Sequence, residues 1–278
     1  MVDLHLHTTA SDGRLTPTEL VRRAAARGVR ILAVTDHDTT DGIEEATTEA
    51  VRQGVVVIPG IEVTSVEGGR DVHMLGYFFD ARNERLVRFL TGQRATRITR
   101  IAEMAKRLEQ LGLPVDVQPI LDDARTHHMR SVGRPALARA MVAAGHVATT
   151  REAFDTWLGQ DRPAFVERPG PSPEEVIRVL HDAGGIASLA HPGRTKIDAR
   201  IAPLREAGLD AIEAYHSDHD DGTVQGYVAV ARRLDLLVSG GSDFHGVPEH
   251  GLEPGASTLP REEWDKLSGH ATGRTRST

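Results

Sequence analysis

The sequence predicts an α/β fold: a closed or nearly closed seven-stranded (β/α)7 barrel that carries a small helical insertion. Strand-length apolar runs alternate with helical patterns, which is typical of repeated βα units and a parallel sheet. The alternation stops after about residue 90 and resumes near residue 172. A chain of 278 residues is long enough for such a domain and its buried core.

The apolar runs define the strands. Seven are predicted, near residues 2–7, 31–36, 55–63, 71–79, 185–190, 210–215 and 235–240. Their number and the helical crossovers between them favour a barrel over a short open sheet.

Two helix starts carry capping signals. Thr16-Pro17-Thr18-Glu19 is a capping box with proline at the first helical position, and Gly28 suits the end of that helix. Ser172-Pro173-Glu174-Glu175 has the same signal before a helix that ends near Gly184. We therefore expect helices to cross between the strands.

The stretch between the two halves of the barrel has a different pattern. Helical segments rich in Ala, Arg and Leu occupy 93–111, 134–144 and 150–159. We interpret 93–168 as a helical insertion, or cap, and 1–92 with 169–278 as the barrel. Arg94, Arg97 and Arg100 recur every three residues, which is more typical of a solvated helix face than of a binding surface.

Composition narrows the possible chemistry. The chain has no cysteine, which excludes thiolate nucleophiles, disulfides and Cys-based zinc sites. The net charge of -7 argues against a generally basic nucleic-acid-coating protein, although a local basic patch could still bind a phosphorylated substrate. No signal-like segment opens the chain and its apolar stretches have only strand length, so we expect a cytoplasmic protein with no membrane partner.

Histidine is abundant, with 14 residues against 6 Phe, 3 Tyr and 2 Trp. His5 and His7 lie two apart on the first strand, so the pleat points both imidazoles to the same side. Alone, such a pair is weak evidence for metal binding, because a barrel strand can carry two ordinary histidines. Similar side chains lie on, or at the ends of, other predicted strands: Asp36, His37, Glu62, His73, His191, Asp243 and His245.

The carboxyl ends of the strands of a barrel meet at one rim. Histidines and carboxylates packed there would be costly unless they are paired or bind metal, so the sequence predicts a metal site. Imidazole and carboxylate ligands suit Zn²⁺, Mn²⁺ or Fe²⁺ better than Mg²⁺ or Ca²⁺. The ligand types do not distinguish among Zn²⁺, Mn²⁺ and Fe²⁺.

These residues also match, in order, the motifs of a known family. The motifs are His5-x-His7, Ser11-Asp12-Gly13, Thr35-Asp36-His37-Asp38, Gly60-Ile61-Glu62, His73-x-Leu75-Gly76, Ala190-His191-Pro192-Gly193 and Gly241-Ser242-Asp243-Phe244-His245. The pattern resembles that of the PHP (polymerase and histidinol phosphatase) family over nearly the whole chain. Ser131-Val132-Gly133-Arg134-Pro135 further resembles the branch that contains nucleoside 3′,5′-bisphosphate phosphatases and 5′-3′ exoribonucleases. The resemblance implies a distorted seven-stranded barrel with three divalent metal ions, Mn, Fe or Zn.

The resemblance also implies which residues hold each metal. The ligands would be His5, His7, Glu62 and Asp243 for the first metal, Glu62, His73 and His191 for the second, and Asp12, His37 and His245 for the third. Glu62 would be a catalytic residue, because as a bridging ligand it brings the first two metals close enough to share a hydroxide. We hypothesise that a water held between these two metals attacks phosphorus in line, while the third metal binds a phosphate oxygen.

Two further residues are candidates for contact with the substrate. His216 follows the sixth strand and could protonate the leaving group or bind phosphate; the alternative is an ordinary loop histidine. Arg134 offers a guanidinium fork that matches a second phosphate; the alternative is a helix-start arginine in water. Relatives commonly carry histidine where this chain has Ala136, so either His127, His128 or another basic group replaces it, or the substrate differs.

The leading interpretation is a metal-dependent phosphoesterase that releases phosphate from small nucleotides such as 3′,5′-bisphosphonucleotides. A 5′-3′ exoribonuclease acting on short 5′-phosphorylated oligonucleotides would use the same chemistry, but the acidic charge and few aromatic residues disfavour a long RNA track. A histidinol-phosphate phosphatase fits the insertion and the Gly-Arg-Pro segment less well. An inactive metal-binding or polymerase-associated module is the alternative of a different class, although such remnants often lose ligands and here all the expected positions are filled.

Overall fold

The computed structural model of the chain describes residues 1–127, 130–247 and 251–275. In this part of the chain, seven strands form one sheet in the order of the sequence. They are β1 (Val2–Leu6), β2 (Ile31–Val34), β3 (Val56–Glu67), β4 (Arg70–Tyr77), β5 (Ile186–Leu189), β6 (Ala211–His216) and β7 (Leu237–Gly241). Each overlaps a predicted segment, so the seven predicted strands are confirmed.

Helices connect and surround these strands. The described helices are α1 (Pro17–Ala26), α2 (Gly42–Gln53), α3 (Glu84–Gln110), α4 (Gln118–Thr126), α5 (Arg134–Ala143), α6 (Thr150–Ala153), α7 (Pro173–Asp182), α8 (Pro192–Thr195), α9 (Asp198–Glu206), α10 (Asp221–Arg233) and α11 (Arg261–Thr275), with a π-helical turn at Phe154–Leu158. Among these residues, no helix combines the length and apolar character needed to cross a membrane.

Both predicted capping signals are confirmed. The Thr16 hydroxyl accepts a hydrogen bond from the Glu19 N–H at 3.2 Å, and the Glu19 carboxylate accepts one from the Thr16 N–H at 2.9 Å. At the start of α7, the Ser172 hydroxyl accepts a hydrogen bond from the Glu175 N–H at 3.3 Å. These contacts satisfy N–H groups that the first turn of a helix leaves without partners.

The sheet is mixed, so the expectation of a wholly parallel sheet is wrong at β4. Strands β1, β2 and β3 pair in parallel, as do β5, β6 and β7, but β4 is antiparallel to both of its neighbours. The cause is the connection before β4, which is the two residues Gly68 (φ 55°) and Gly69 (φ 77°) in place of a crossover helix. Positive φ at both positions suits a tight hairpin turn, and glycine adopts it without strain.

The barrel is nearly closed between β1 and β7. Leu6 forms a parallel bridge with Phe244, and the His7 N–H donates to the Phe244 carbonyl at 2.9 Å. The buried Asp3 carboxylate accepts hydrogen bonds from the Ser242 hydroxyl at 2.7 Å and from the Gly255 N–H at 2.7 Å. Hydrogen bonds therefore join the first and last strands of the sheet, β1 and β7, and the residues that follow them.

Apolar side chains pack into separate clusters in the barrel and in the region after β4. The barrel cluster includes Leu4, Ile61, Met74, Leu189 and Ile212. A second cluster includes Ile101, Met104, Leu108, Leu137 and Met141. Helix α3 contributes to both, because its first turns bury Leu86 and Leu90 against the barrel and its later turns enter the second cluster. The helical region thus has apolar packing of its own, joined to the barrel through α3.

Candidate metal centre

The side chains predicted to hold metals converge on one end of the barrel. They come from β1 and the loop after it, from the segment that follows β2, from β3 and β4, and from the segments that follow β5 and β7: His5, His7, Asp12, His37, Glu62, His73, His191, Asp243 and His245. The nitrogen–oxygen distances that connect the set run from 2.7 to 3.7 Å. Positions from both ends of the sequence therefore form one cluster.

Glu62 lies at the centre of this cluster and is 1% exposed. Its Oε1 lies 2.7 Å from His73 Nδ1 and 3.0 Å from His191 Nε2. Its Oε2 faces the other side of the cluster and lies 3.2 to 3.3 Å from nitrogens of His5, His7 and His37. One carboxylate thus connects two groups of imidazoles.

Two aspartates flank the imidazoles. Asp243 Oδ1 lies 3.3 Å from His5 Nε2 and 3.2 Å from His7 Nε2. Asp12 Oδ1 lies 3.3 Å from His245 Nε2, and its Oδ2 lies 3.7 Å from His37 Nε2. Because Asp243 is also close to His245, at 3.6 Å, the aspartates complete a continuous set of nitrogen and oxygen donors.

The donor set fits divalent metals. Among the described residues, four groups have ligand atoms that all lie within 4.8 Å of one another: His5, His7, Glu62 and Asp243; His7, Asp12, His37 and His245; His37, Glu62 and His73; and His5, Glu213 and His216. Among the described atoms, His5 Nε2 and His37 Nδ1 are buried and make no hydrogen bond. Buried polar nitrogens without partners are costly, and binding a metal is a way to satisfy them.

The pKa shifts in the cluster differ in direction. Burial lowers the pKa of His37 to about 3, and burial also lowers the pKa of His191. For His7, burial acts in the same direction, but contacts with Asp243 and Glu62 raise the pKa to about 10. Metal ligation requires the unprotonated nitrogen, so a metal must displace a proton from His7.

The reversed direction of β4 explains how His73 reaches the cluster. His73 pairs with Thr64 in the antiparallel β3–β4 ladder, early in its own strand. In a parallel strand the early residues would lie far from the rim where the other strands end, but the hairpin places them at that rim. The sequence pattern therefore selected a histidine that lies in the cluster, 2.7 Å from Glu62, while assigning its strand the wrong direction.

Two buried carboxylates hold the cluster from outside and were not predicted to do so. Asp36 accepts hydrogen bonds from the Thr8 hydroxyl at 2.6 Å and the Ser11 hydroxyl at 2.5 Å, which fixes the loop that carries Asp12. Glu213 Oε1 lies 2.8 Å from His5 Nδ1. A charged residue inside the apolar strand Ala211–His216 was the available signal for Glu213.

His216 lies at the same end of the barrel, directly against Asp243. Its side chain is fully buried, and its Nε2 lies 3.3 Å from Asp243 Oδ2. Its Nδ1 accepts a hydrogen bond from the Asp218 N–H at 3.0 Å. In a neutral ring the proton is therefore on Nε2, the nitrogen that faces the cluster.

Arg134 starts α5 and pairs with Asp71 at 3.2 Å, two residues before His73. Its guanidinium lies over the rings of Phe154 and Phe165, at 5.8 and 5.6 Å from their centroids. Burial lowers its pKa to about 10, so it remains charged at neutral pH.

Arg94, Arg97 and Arg100 of α3 are largely withdrawn from solvent, so their interpretation as a solvated helix face is wrong. Arg94 and Arg100 are 5% and 7% exposed. Arg97 Nε donates to Asp38 Oδ2 at 2.5 Å, and Arg100 Nη1 donates to Asp71 Oδ2 at 2.8 Å. The spacing of three residues puts the guanidinium groups on the helix face that contacts the barrel.

Of the residues considered as replacements for a histidine at position 136, His127 adds no group to the cluster. His127 is exposed and pairs with Asp123 at 2.9 Å. His128 lies outside the described residues.

Comparison with known proteins agrees with this geometry. Residues 3–112 match the family model described as PHP domain. A relative from Chromobacterium violaceum, named 3′,5′-nucleoside bisphosphate phosphatase, is 35% identical over 275 residues, which cover 96% of each chain. The chain belongs to the PHP family.

Other PHP-family comparisons cover most of the chain as well. A protein from Haemophilus influenzae, named 5′-3′ exoribonuclease, is 38% identical over 248 residues, covering 87% of this chain and 89% of the relative. A crystal structure from Bifidobacterium adolescentis, described as a metal-dependent phosphoesterase, is 33% identical with a TM-score of 0.86 and covers 95% of this chain and 94% of its own. This PHP protein is a metal-dependent phosphoester hydrolase, as its motifs predicted.

Proposed function

We propose that the chain hydrolyses phosphate monoesters of small nucleotides such as 3′,5′-bisphosphonucleotides and releases phosphate. The observation that carries the proposal is the position of Glu62, whose two oxygens contact different sets of imidazoles at 2.7 to 3.3 Å. The relative named 3′,5′-nucleoside bisphosphate phosphatase supports the choice of substrate.

The proposed centre holds three divalent metal ions, Mn, Fe or Zn. We assign His5, His7, Glu62 and Asp243 to the first metal, Glu62, His73 and His191 to the second, and Asp12, His37 and His245 to the third, in agreement with the contacts among these side chains. Bound divalent metals lower the pKa of a coordinated water and neutralise charge on a transferring phosphoryl group. In this assignment Glu62 is the catalytic residue that keeps the first two metals together.

We further propose that His216 donates a proton to the leaving group or binds a phosphate oxygen. The proton on its Nε2 faces Asp243, a proposed ligand, at 3.3 Å, so the ring is close to where a phosphate would bind. A His216→Ala variant should lose turnover, whereas His127→Ala, which changes an exposed histidine, should retain it. Unchanged kinetics in His216→Ala would remove this residue from the mechanism.

Arg134 is proposed to bind the phosphate that is not hydrolysed. It belongs to a buried group of arginines, with Arg97, Arg100 and Arg168, that has only two carboxylate partners among the described residues, Asp38 and Asp71. The excess of positive charge favours an anion, and it lies where the proposed cap, residues 93–168, contacts the barrel. The Ser131 N–H, which donates to the Ala10 carbonyl at 2.9 Å, joins the same two regions beside the loop that carries Asp12.

The Arg134 proposal predicts selectivity between substrates. Arg134→Ala should raise KM about tenfold or more for a bisphosphonucleotide, because a hydrogen bond to a charged group contributes about 1.5–3 kcal/mol. A nucleoside monophosphate should be affected little. Arg151→Ala, at an exposed position in the same helical region, is the matched control. Equal effects on both substrates would contradict the assignment.

Exoribonuclease activity is a second candidate, favoured by the relative named 5′-3′ exoribonuclease. The same site would then act on the terminal nucleotide of a short 5′-phosphorylated oligoribonucleotide. Phosphate release from adenosine 3′,5′-bisphosphate and nucleotide release from a 5′-phosphorylated RNA tetramer, measured side by side, test the two proposals. A much higher kcat/KM for the bisphosphate supports the phosphatase, and the reverse result overturns it.

A further inference from the structure

Glu213 is a buried carboxylate that touches two proposed metal ligands without belonging to the predicted ligand set. Its side chain lies on β6 and is 0% exposed. Oε1 lies 2.8 Å from His5 Nδ1, and Oε2 accepts a hydrogen bond from the backbone N–H of His191 at 2.7 Å. His5 is assigned to the first metal and His191 to the second.

The first contact determines which nitrogen of His5 is available to a metal. His5 Nε2 faces Glu62 and Asp243 at 3.3 Å and makes no hydrogen bond of good geometry. Because an ionised carboxylate only accepts, the His5 Nδ1–H donates this hydrogen bond, and in the neutral ring Nε2 has a free lone pair on the side of the cluster. A carboxylate behind a ligating imidazole commonly fixes the tautomer and ring orientation in this way.

The second contact holds the backbone that carries His191. This residue has φ 27° and ψ 59°, which is a strained conformation for a residue other than glycine. The hydrogen bond from its N–H to Glu213 holds that conformation, and the His191 Nε2 then lies 3.0 Å from Glu62. Strained backbone persists where surrounding contacts over-determine it, and Glu213 is such a contact.

Both partners of Glu213 are therefore hydrogen-bond donors. A carboxylate can accept from both, one with each oxygen, whereas an amide has one accepting oxygen and a nitrogen that only donates. Glutamine at this position would have to place its NH₂ group against either the His191 N–H or the His5 Nδ1–H. In the first placement the glutamine NH₂ and the His191 N–H, both hydrogen-bond donors, face each other. The second placement favours the His5 tautomer whose Nε2 carries a proton and cannot bind metal.

We propose that Glu213 is a positioning residue that presents His5 and His191 together to the first and second metals. The proposal rests on the metal centre proposed above. Glu213 is assigned no contact with the third metal. Among the described residues, the contacts that join the ligands Asp12, His37 and His245 do not involve Glu213. Loss of the carboxylate should therefore weaken the first two sites and spare the third.

The test is a titration of metal-stripped protein with Mn²⁺ in competition with a chelator, for the full-length wild type and Glu213→Gln. We expect three sites in the wild type. In Glu213→Gln, two of them should bind about ten- to a hundredfold more weakly, while the third keeps its affinity, because supporting carboxylates typically change metal affinity by this amount. A general loss of structure would instead lower all three affinities.

Asp210→Asn is the matched control. Asp210 precedes the same strand and also accepts from a histidine ring and a backbone N–H, those of His181 at 2.7 Å and Ala187 at 2.8 Å, but neither is a proposed metal ligand. This variant should lower the melting temperature without changing any Mn²⁺ affinity. If it weakened the same two sites, the effect of Glu213→Gln would be a consequence of strand stability and the proposal would fail.

A crystal structure of the metal-loaded wild type keeps the proposal testable even if Glu213→Gln does not fold. The expected result is His5 bound through Nε2, with Nδ1 and the His191 N–H still on Glu213. Coordination through His5 Nδ1, or by Glu213 itself, would overturn the inference. A wild type that binds none of Mn²⁺, Fe²⁺ and Zn²⁺ would refute the metal centre, whereas equal binding by wild type and Glu213→Gln would refute only the role of Glu213.

Discussion

Replacing Glu62 by glutamine is the sharpest perturbation of the proposed centre, because it keeps the shape of the side chain and removes its charge. The carboxylate contacts His73 and His191 through one oxygen and His5, His7 and His37 through the other. The amide keeps a single accepting oxygen, so at most one side of this arrangement retains a ligand.

The size of the effect follows from the burial of Glu62, which is 1% exposed. Removing one partner of a buried charged contact costs about 3–5 kcal/mol. At about 1.4 kcal/mol per factor of ten, metal binding at the sites that share Glu62 should weaken by about 10²- to 10⁴-fold. Turnover should fall at least in proportion to the lost metal.

The assay combines elemental analysis of the purified variant with phosphate release from adenosine 3′,5′-bisphosphate. Glu49→Gln is the control, because Glu49 is 1% exposed, as Glu62 is. Its hydrogen-bond partners are two arginines and a glutamine on the outer helices. Glu49→Gln should retain its metals and activity. Full metal content with undiminished hydrolysis in Glu62→Gln would refute the assignment of Glu62.

Three further predictions concern stability. Hydrogen bonds from arginines lower the pKa of Glu49 from 4.5 to about 2, so its stabilising effect is present above pH 4.5 and is lost as the pH falls toward 2. The difference in free energy of unfolding between wild type and Glu49→Gln, measured on metal-stripped protein, should therefore shrink over that range. A difference that grew as the pH fell would contradict this prediction. Gly241→Ala would place a Cβ 2.3 Å from the His5 backbone nitrogen, so the free energy of unfolding measured by chemical denaturation should fall by at least about 1–3 kcal/mol. An unchanged denaturation midpoint would mean that β1 and β7 move apart without cost. Arg97→Met removes the closest cation from the buried Asp38 and should cost about 3–5 kcal/mol of unfolding free energy, and restoration by the double variant with Asp38→Asn would confirm the pair as the cause.

Much of the site could be predicted because its residues lie on strands or in the segments that follow them. His5, Glu62 and Asp243 are distant in sequence, but a barrel brings strand ends to one rim, so the pattern of strands was sufficient to expect them together. The contacts of Glu62 with His5 and of Asp243 with His5, both at 3.3 Å, agree with that expectation.

The errors have local causes. The direction of β4 depends on the Gly68-Gly69 turn, a short-range feature that the alternation of strand and helix patterns does not reveal. The burial of Arg97 and Arg100 depends on Asp38 and Asp71, which lie on other elements and become partners only when the chain folds. A spacing of three residues places side chains on one helix face but does not say whether that face meets water or protein.

The supporting carboxylates were harder to predict than the ligands. Asp36 and Glu213 act through hydrogen bonds to Thr8, Ser11, His5 and the His191 backbone, and these partners are identified only by the three-dimensional arrangement. Ligand positions have recognisable spacing, whereas a supporting residue is defined by whatever lies behind the ligand.

Phosphate release from adenosine 3′,5′-bisphosphate by metal-stripped protein, measured before and after addition of Mn²⁺, tests whether hydrolysis depends on the metal centre. We expect no turnover by the stripped protein and recovery of activity as Mn²⁺ is restored. Turnover that persists in the stripped protein would contradict a metal-dependent mechanism. Hydrolysis that none of Mn²⁺, Fe²⁺ and Zn²⁺ restores would contradict it as well.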